Sequence, residues 1–237
     1  MERGGVKELT EFPHLKNFRD FHLCRRRDGS FLPPNGFARC DNPFSLTEEE
    51  IDTLIKRGYR HDIDLRRNNE REARPDCLAE HPAFSYYPIV MNDATYYSYG
   101  DVSQPETIAE AYYSKLKVSA ERIAAVFRVF AREEGGFLFH CESGKDRTGT
   151  IAALLLLLAD VCDEDICEDY RLTYDCMYVE SEPELLADPE LIPYARNMEL
   201  FLAMFHRDYP CPDRYFLEIG LSKTEIASLR KKLLGEG

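Results

Sequence analysis

Four short segments of the chain are apolar either continuously or at every second position, and each predicts a β-strand. They cover residues 36–39, 61–65, 84–90 and 136–140. Helical patterns separate and follow them, at residues 45–57, 105–134 (with a break near Val118), 148–160, 163–174, 194–205 and 223–234. This alternation predicts an α/β fold, in which a short, mostly parallel central sheet is flanked by helices and extra helices follow at the C-terminal end.

The 237 residues suit one globular domain over residues 1–237, with a helical part from about residue 190. The longest apolar run, residues 151–159, is about half the length that spans a bilayer, so it predicts a buried helix. Residues 1–20 are charged and do not resemble a secretory signal. We therefore expect a cytoplasmic protein with no transmembrane segment, whose eight cysteines are reduced because they form no CxxC pair.

The formal net charge of -13 limits the partners of the chain. Nucleic acid is excluded as a partner, because phosphate backbones recruit basic surfaces. An acidic protein also repels small anions, so any phosphate-binding site must be positive locally. The sequence should therefore contain a concentrated anion-binding element.

Such an element follows the strand predicted at residues 136–140. Cys141 comes directly after the strand, and Arg147 opens a helix. Backbone N–H groups of the intervening loop and of the helix N-terminus can surround a phosphoryl group, Gly144 permits the tight turn, and Arg147 can hold two phosphate oxygens with its planar guanidinium. The predicted phosphate-binding residues are Glu142, Ser143, Gly144, Lys145, Asp146 and Arg147.

The same donors favour the thiolate form of Cys141, which predicts a nucleophile. In-line attack on phosphorus gives a phosphocysteine that water then hydrolyses. We expect Thr148 to hydrogen-bond the sulfur and His140 to order the backbone of the cysteine. The combination of His-Cys, a glycine three residues later and Arg-Thr-Gly arises by chance in roughly one chain in a million at average residue usage.

The loop His140-Cys-x-x-Gly-Lys-Asp-Arg-Thr-Gly149 resembles that of the bacterial atypical tyrosine and lipid phosphatases, a group of the cysteine-dependent tyrosine phosphatase superfamily with mycobacterial and listerial members. Further elements are similar to that family: Asn17-Phe-Arg-Asp20, Ala38-Arg-Cys-Asp41, Ile63-Asp-Leu-Arg66 with Glu70, and residues 215–234. The resemblance implies a phosphatase fold and hydrolysis of phosphate monoesters, chiefly protein phosphotyrosine. Phosphoserine, phosphothreonine and phosphoinositides are further substrates in the group, so we expect a phosphorylated protein or a phospholipid head group as partner.

The resemblance also bears on the general acid and on the rim of the pocket. Members with Lys-Asp in the loop are thought to use that aspartate, here Asp146, whereas Asp93 would serve if the long segment 91–104 is a lid. In related enzymes, a lysine at the position of Lys145 accompanies activity on phosphoinositides. Glu142 departs from the family pattern and predicts weaker dianion binding or a substrate with a cationic neighbour. Asp64 and Arg66 are expected to brace the loop.

Three alternatives share parts of this pattern. A sulfur-transfer domain does not need Arg-Thr-Gly at this spacing, and an inositol-phosphate hydrolase is usually surrounded by a strongly basic surface. A phosphate-binding pseudophosphatase normally lacks the cysteine or the arginine, and both are present here. We predict no cofactor and no metal, because no His/Asp cluster with ligand spacing is visible in the sequence.

Overall fold

A five-stranded sheet runs through the described part of the chain, which comprises residues 12–91, 107–177 and 193–236 of a computed structural model. Its strands are β1 (Arg19–Asp20), β2 (Phe37–Cys40), β3 (Tyr59–Asp64), β4 (Ser85–Pro88) and β5 (Gly136–His140). In space they follow the order β1-β2-β5-β3-β4, with β1 antiparallel to β2 and the other neighbours parallel. The predicted α/β fold with a short, mostly parallel sheet is confirmed.

Nine α-helices accompany the sheet in the described residues. They are α1 (Glu48–Lys56), α2 (Asn68–Ala73), α3 (Ile108–Val118), α4 (Ala120–Arg132), α5 (Asp146–Leu158), α6 (Asp163–Met177), α7 (Pro193–Asp208), α8 (Pro212–Glu218) and α9 (Lys223–Leu234). The predicted break near Val118 and the extra C-terminal helices are confirmed. The sequence patterns missed β1, α2 and α8, because two to seven residues are too few to show a periodicity.

Capping residues determine where the helices begin. At α1, the side chain of Thr47 accepts the backbone N–H of Glu50, and the carboxylate of Glu50 accepts the N–H of Thr47. Ser222 and Glu225 form the same reciprocal pair at α9. Each pair satisfies backbone donors that have no partner within the helix. The predicted N-termini of these two helices lie within three residues of the observed ones.

Side chains of β5 alternate between two hydrophobic cores on opposite faces of the sheet. Phe137 and Phe139 belong to the larger core, to which helices α3 to α9 contribute. Leu138 belongs to the smaller core, which includes Ile51 and Leu54 of α1. The sheet is therefore covered on both faces, and polar side chains near its carboxyl edge are shielded from water.

The apolar run at residues 151–159 forms most of α5 and is buried throughout, as predicted. This helix packs within the larger core, between the sheet and the C-terminal helices. Its apolar character on every side is explained by this central position. Within the described ranges, none of the helices is long and apolar enough to cross a bilayer.

Three strand ends meet at the edge of the sheet where the chain leaves β5. His140 is in register with Cys40 of β2 on one side and with Asp64 of β3 on the other. Because these strands are parallel, the segments that follow them converge on the same edge. The predicted anion-binding loop begins at this edge.

Candidate active site

Residues 141–145 connect β5 to α5 at the carboxyl edge of the sheet. Cys141 opens this loop, and it is only 1 % exposed. The helix begins at Asp146, two residues before the predicted start, because the loop already turns into helical geometry there. The first N–H groups of α5 have no partners within the helix, so they add donors and a positive dipole end next to the loop. The predicted nucleophile thus lies beside a structure that favours anions.

The backbone makes its tightest turn at Gly144. Its φ angle is +65°, a left-handed conformation that residues with a Cβ atom rarely adopt. A Cβ atom at this position would lie 2.1 Å from the carbonyl oxygen of Cys40. Both observations require glycine here, and both arise because the loop folds back onto the end of β2.

Three buried side chains, Arg19, Arg39 and Asp169, form what we call the arginine brace. Asp169 of α6 accepts hydrogen bonds from Arg19 Nε at 2.6 Å and from Arg39 Nη1 at 2.5 Å. Burial alone would raise the pKa of Asp169, but the two guanidinium groups lower it below its ordinary value. Arg39 Nη2 also donates to the carbonyl oxygen of Gly144 at 2.6 Å, so the brace holds the loop directly.

The brace reaches a second loop carbonyl through Asn17. Arg19 Nη1 donates to the backbone oxygen of Asn17 at 3.0 Å, and Asn17 Nδ2 donates to the backbone oxygen of Ser143 at 2.9 Å. With two carbonyl oxygens of the loop bound from outside, the peptide groups at Ser143 and Gly144 are fixed in orientation.

A second buried group, which we call the histidine cluster, consists of Asp62, Asp76 and His140. The Nε2 atom of His140 lies 2.9 Å from Asp76 Oδ2 and 3.3 Å from Asp62 Oδ1. Its Nδ1 atom lies 3.1 Å from the carbonyl oxygen of Cys141, a contact of the kind predicted for His140. Burial alone would lower the pKa of the imidazole, but the nearby carboxylates raise it well above its ordinary value.

The same three side chains are also the group of possible metal ligands found among the described residues. Their ligand atoms all lie within 4.8 Å of one another, and all three residues are buried. Sequence spacing did not reveal this group, because its members come from β3, β5 and the segment after α2.

Arg147 projects from the first turn of α5 and is almost fully buried. Both of its Nη atoms donate to the carboxylate of Glu70, at 2.7 Å each. Burial would raise the pKa of Glu70, but hydrogen bonds from Arg147 and Arg67 lower it well below its ordinary range. The two hydrogen bonds to Glu70 fix the plane of the guanidinium group.

Asp146 lies at the first position of α5, where its carboxylate accepts a hydrogen bond from the hydroxyl of Tyr112. The hydroxyl of Tyr112 is also 2.7 Å from that of Tyr170. Lys145 precedes Asp146, and its ammonium nitrogen lies 5.2 Å from the centre of the Tyr174 ring. Lys145 and Asp146 are therefore held by aromatic side chains of α3 and α6.

Glu142 pairs with arginines. Its carboxylate lies 3.0 Å from Arg74 Nη1 and 3.8 Å from Arg66 Nη1. These two arginines, which flank α2, therefore compensate the negative charge that Glu142 adds to the loop. The pairing gives Glu142 a structural explanation that the sequence did not suggest.

The remaining predicted residues occupy different places. Asp64 and Arg66 form a buried ion pair with a 2.8 Å contact, and Arg66 Nη1 lies 3.8 Å from the carboxylate of Glu142 in the loop. Burial would raise the pKa of Asp64, but His140 and Arg66 are among the groups that lower it to about 2. Thr148 is buried, and its hydroxyl has no hydrogen-bond partner among the described residues, so the expected bond to the cysteine sulfur is not formed here. Asp93 lies outside the described residues.

Sequence reasoning missed Asp169, Asp76 and Tyr112 as members of this site. Asp169 is 150 positions away from Arg19, its partner. A buried acid in a helix that also carries an apolar face is a weak signal for such a role, and no local pattern indicated Asp76 or Tyr112. Each residue acquires its role only from contacts between distant segments.

Comparison with known proteins agrees with this geometry. Residues 10–235 match the model of the tyrosine phosphatase family. The chain is 32% identical over 223 residues to a tyrosine-protein phosphatase of Nostoc commune, covering 85% of this chain and 75% of that protein. It is 27% identical over 169 residues to a Cupriavidus necator protein with a provisional tyrosine-protein phosphatase name, covering 67% of this chain and 60% of that protein. The chain belongs to the tyrosine phosphatase family, and it is an enzyme of this class.

Proposed function

We propose that this enzyme hydrolyses phosphate monoesters, chiefly protein phosphotyrosine, through a phosphocysteine formed on Cys141. The observation that carries the proposal is the placement of a buried cysteine between the end of β5 and the N-terminus of α5, with Arg147 in the first turn of that helix. Cys24 and Cys40, the other buried cysteines in the described residues, do not lead directly into a helix N-terminus. The loop resembles that of the bacterial atypical group, to which we assign the chain.

The ionised sulfur attacks phosphorus while the ester oxygen leaves on the opposite side. An S–P bond forms and the P–O bond breaks, so the leaving group departs with the electron pair and needs a proton. Arg147 binds two equatorial oxygens of the phosphoryl group as it becomes planar in the transition state. Its orientation is already set by Glu70, so this interaction costs little reorganisation.

We assign the proton transfer to Asp146. In the protonated form it donates to the ester oxygen, and as carboxylate it then accepts a proton from the water that attacks the phosphocysteine. The contact with Tyr112 orients its carboxyl group. Asp93 is the alternative acid, on the conventional pattern in which a lid supplies the aspartate.

The charged side chains of Lys145 and Glu142 bear on which phosphate esters the enzyme accepts. Lys145 adds positive charge next to the loop, which supports activity on phosphoinositides in addition to phosphotyrosine, phosphoserine and phosphothreonine. Because Glu142 is paired with Arg74 at 3.0 Å, we expect its effect on dianion affinity to be small. A comparison of rates on phosphotyrosine, phosphoserine and phosphoinositide substrates would determine the range.

The nucleophile is tested with the variant Cys141→Ser. We expect it to fold, to bind inorganic phosphate and to lose turnover of p-nitrophenyl phosphate, because serine does not supply the thiolate. Cys211→Ser, which changes an exposed cysteine, should keep the original rate. The rates are measured without added metal, and vanadate should inhibit them. Turnover near the original level in Cys141→Ser would overturn the mechanism.

The acid is tested through the leaving group. Asp146→Asn should slow the hydrolysis of phenyl phosphate by ~100-fold, the lower end for general acid catalysis, and slow an activated aryl phosphate much less. The basic limb of its pH–rate profile should also flatten. Asp93→Asn should affect both esters about equally. Leaving-group sensitivity in Asp93→Asn alone would assign the proton transfer to Asp93.

A further inference from the structure

Residues 66–74, in and around α2, are locally positive in a chain whose net charge is -13. Four arginines fall within these nine positions: Arg66, Arg67, Arg71 and Arg74. The same segment has two acidic side chains, Glu70 and Glu72. It also lies at the active site, because Glu70 binds the guanidinium group of Arg147. A concentration of positive charge in this place calls for an explanation.

Helical spacing places three of the arginines on the side of α2 that faces the loop. Positions 67, 70, 71 and 74 recur at intervals of three and four residues, which is one side of a helix. Two contacts identify that side, since Glu70 reaches Arg147 and Arg74 Nη1 lies 3.0 Å from the carboxylate of Glu142. We call this set of arginines the basic rim; it consists of Arg67, Arg71 and Arg74.

The side chains of the basic rim are accessible to a ligand. That of Arg67 is 41 % exposed and that of Arg74 is 57 % exposed. Arg71 is partly exposed and donates to two neutral oxygens, the carbonyl of Arg66 at 3.2 Å and Asn68 Oδ1 at 2.5 Å. Within residues 12–91, 107–177 and 193–236, no carboxylate forms an ion pair with Arg71. Its charge is therefore available to a carboxylate from outside the protein.

Phe44 holds Arg74 beside the loop. The guanidinium carbon of Arg74 lies 5.3 Å from the centre of the Phe44 ring, which is itself 47 % exposed. The segment that carries this ring is tied to the loop, because the backbone N–H of Asn42 donates to the backbone oxygen of Glu142 at 3.2 Å. An exposed aromatic ring next to an arginine is also a combination that is enriched where proteins bind partners.

The chemistry and the length of the basic rim suit an acidic peptide. A guanidinium binds a carboxylate with two parallel hydrogen bonds, and the contact with Glu142 shows that Arg74 accepts a carboxylate as its partner. Positions 67 to 74 span about 10 Å at the rise of an α-helix. That is the length of about three residues of an extended chain. A peptide whose phosphotyrosine is bound at Cys141 can therefore lay its neighbouring side chains along the rim.

We propose that the basic rim binds acidic side chains next to phosphotyrosine in protein substrates, and that it determines which phosphotyrosine sites the enzyme prefers. The inference rests on the proposed phosphotyrosine activity and adds the substrate class. Within this surface, Glu142 is an internal competitor, because its carboxylate occupies Arg74. A contact between two partly exposed side chains is weak, so a substrate carboxylate can replace it.

An anionic membrane is the competing occupant of the basic rim. A membrane surface extends over a whole face of a docked protein, so the net charge of -13 repels it. A short peptide responds mainly to charges within a Debye length, which is about 8 Å at physiological ionic strength. The local positive charge of the rim therefore favours a peptide over a membrane.

The test compares kcat/KM for two phosphotyrosine peptides, which carry either glutamates or glutamines on both sides of the phosphotyrosine. We expect the unaltered protein to prefer the acidic peptide by about 10-fold, and we expect Arg71→Gln to lower this preference about 3-fold, the scale of one partly exposed ion pair. The double variant Arg71→Gln/Arg74→Gln should remove most of the preference. Arg71→Gln should keep its rate on p-nitrophenyl phosphate, which has no neighbouring residues.

Three further variants complete the set. Glu142→Gln frees Arg74 from its internal carboxylate, so the preference for the acidic peptide should rise about 3-fold, an increase that a purely structural rim would not produce. Arg71→Lys keeps the positive charge and should retain more of the preference than Arg71→Gln. The matched control is Arg132→Gln, because Arg132 is exposed at the end of α4, just before β5 begins and thus at the sheet edge away from the loop. It should leave the preference unchanged.

Equal rates for the two peptides in the unaltered protein would overturn the basic rim and leave the proposed function intact. So would an unchanged preference in a double variant that still hydrolyses p-nitrophenyl phosphate. Hydrolysis of p-nitrophenyl phosphate without turnover of either peptide would refute the phosphotyrosine activity, and the inference with it. Binding of the unaltered protein to vesicles of phosphatidylcholine and phosphatidylserine, lost in the double variant, would assign the rim to a membrane and overturn the proposal.

Discussion

The arginine brace and the histidine cluster hold the same loop from opposite faces of the sheet, and they use opposite charge arrangements. In the brace, two guanidinium groups surround one carboxylate with hydrogen bonds of 2.5–2.6 Å. In the cluster, two carboxyl groups surround one imidazole, and good hydrogen-bond geometry is lacking. The brace has charges that do not change near neutral pH, whereas the cluster contains groups that titrate there. One support is therefore rigid and the other is sensitive to protons.

The largest expected effect comes from breaking the brace at its centre. Asp169→Asn leaves two buried guanidinium groups without their counterion, so the free energy of unfolding should fall by about 3–5 kcal/mol. Chemical denaturation measures this loss. Glu164→Gln, an exposed change on the same helix, should cost far less. A loss of under about 1 kcal/mol for Asp169→Asn would show that the brace is not a main support of the fold.

Replacing arginine by lysine distinguishes structural from catalytic guanidinium groups. Arg147→Lys should reduce kcat/KM by ~100-fold or more, because one ammonium cannot replace two oriented donors in the transition state. Arg39→Lys keeps the charge but loses the bond to Gly144 or to Asp169, so the free energy of unfolding should fall by about 1.5–3 kcal/mol.

Stability should fall less in Arg147→Lys than in Arg39→Lys, because Glu70 keeps a hydrogen bond from Arg67. Urea denaturation and steady-state kinetics of both variants measure the two effects. A reversed pattern, with Arg147→Lys the less stable and the more active variant, would contradict the division between brace and pocket.

The smallest effect is the dependence of stability on pH. Burial raises the pKa of Asp41 and of Asp62 to about 8, and nearby carboxylates raise that of His140. The native state therefore binds more protons than the unfolded state between about pH 5 and pH 9, so the free energy of unfolding should decrease as pH rises through this window. Each such proton contributes at most about 1.4 kcal/mol per pH unit.

The arginine brace serves as a control, because it predicts no dependence of stability on pH near neutrality. The pKa of Asp169 is lowered, so its contribution is complete above the ordinary range of a carboxyl group and adds no slope near neutral pH. The double variant Asp41→Asn/Asp62→Asn should flatten the decline, as measured by thermal unfolding at several pH values. A stability that rises with pH in the unaltered protein would contradict the raised pKa values of Asp41, Asp62 and His140 in the folded state.

The sequence alone determined the parts of this protein that depend on neighbours along the chain. The apolar strand at residues 136–140, Cys141, Gly144 and Arg147 lie within twelve positions of one another, so their spacing already predicts a loop that binds phosphate. The capped helices and the fold class were predictable for the same reason, since periodicity and capping are local properties.

Only the tertiary structure decided what surrounds the loop. Asp169, Asp76, Tyr112 and Glu70 each meet a loop residue or its support across 34 to 150 positions, as for Tyr112 with Asp146 and Asp169 with Arg19. The tertiary structure also determines that Glu142 pairs with Arg74. Local patterns do not specify such contacts, because a buried charge is tolerated only where distant segments supply its partner. The sequence therefore indicated the chemistry of the site, and packing determined the charges that support it.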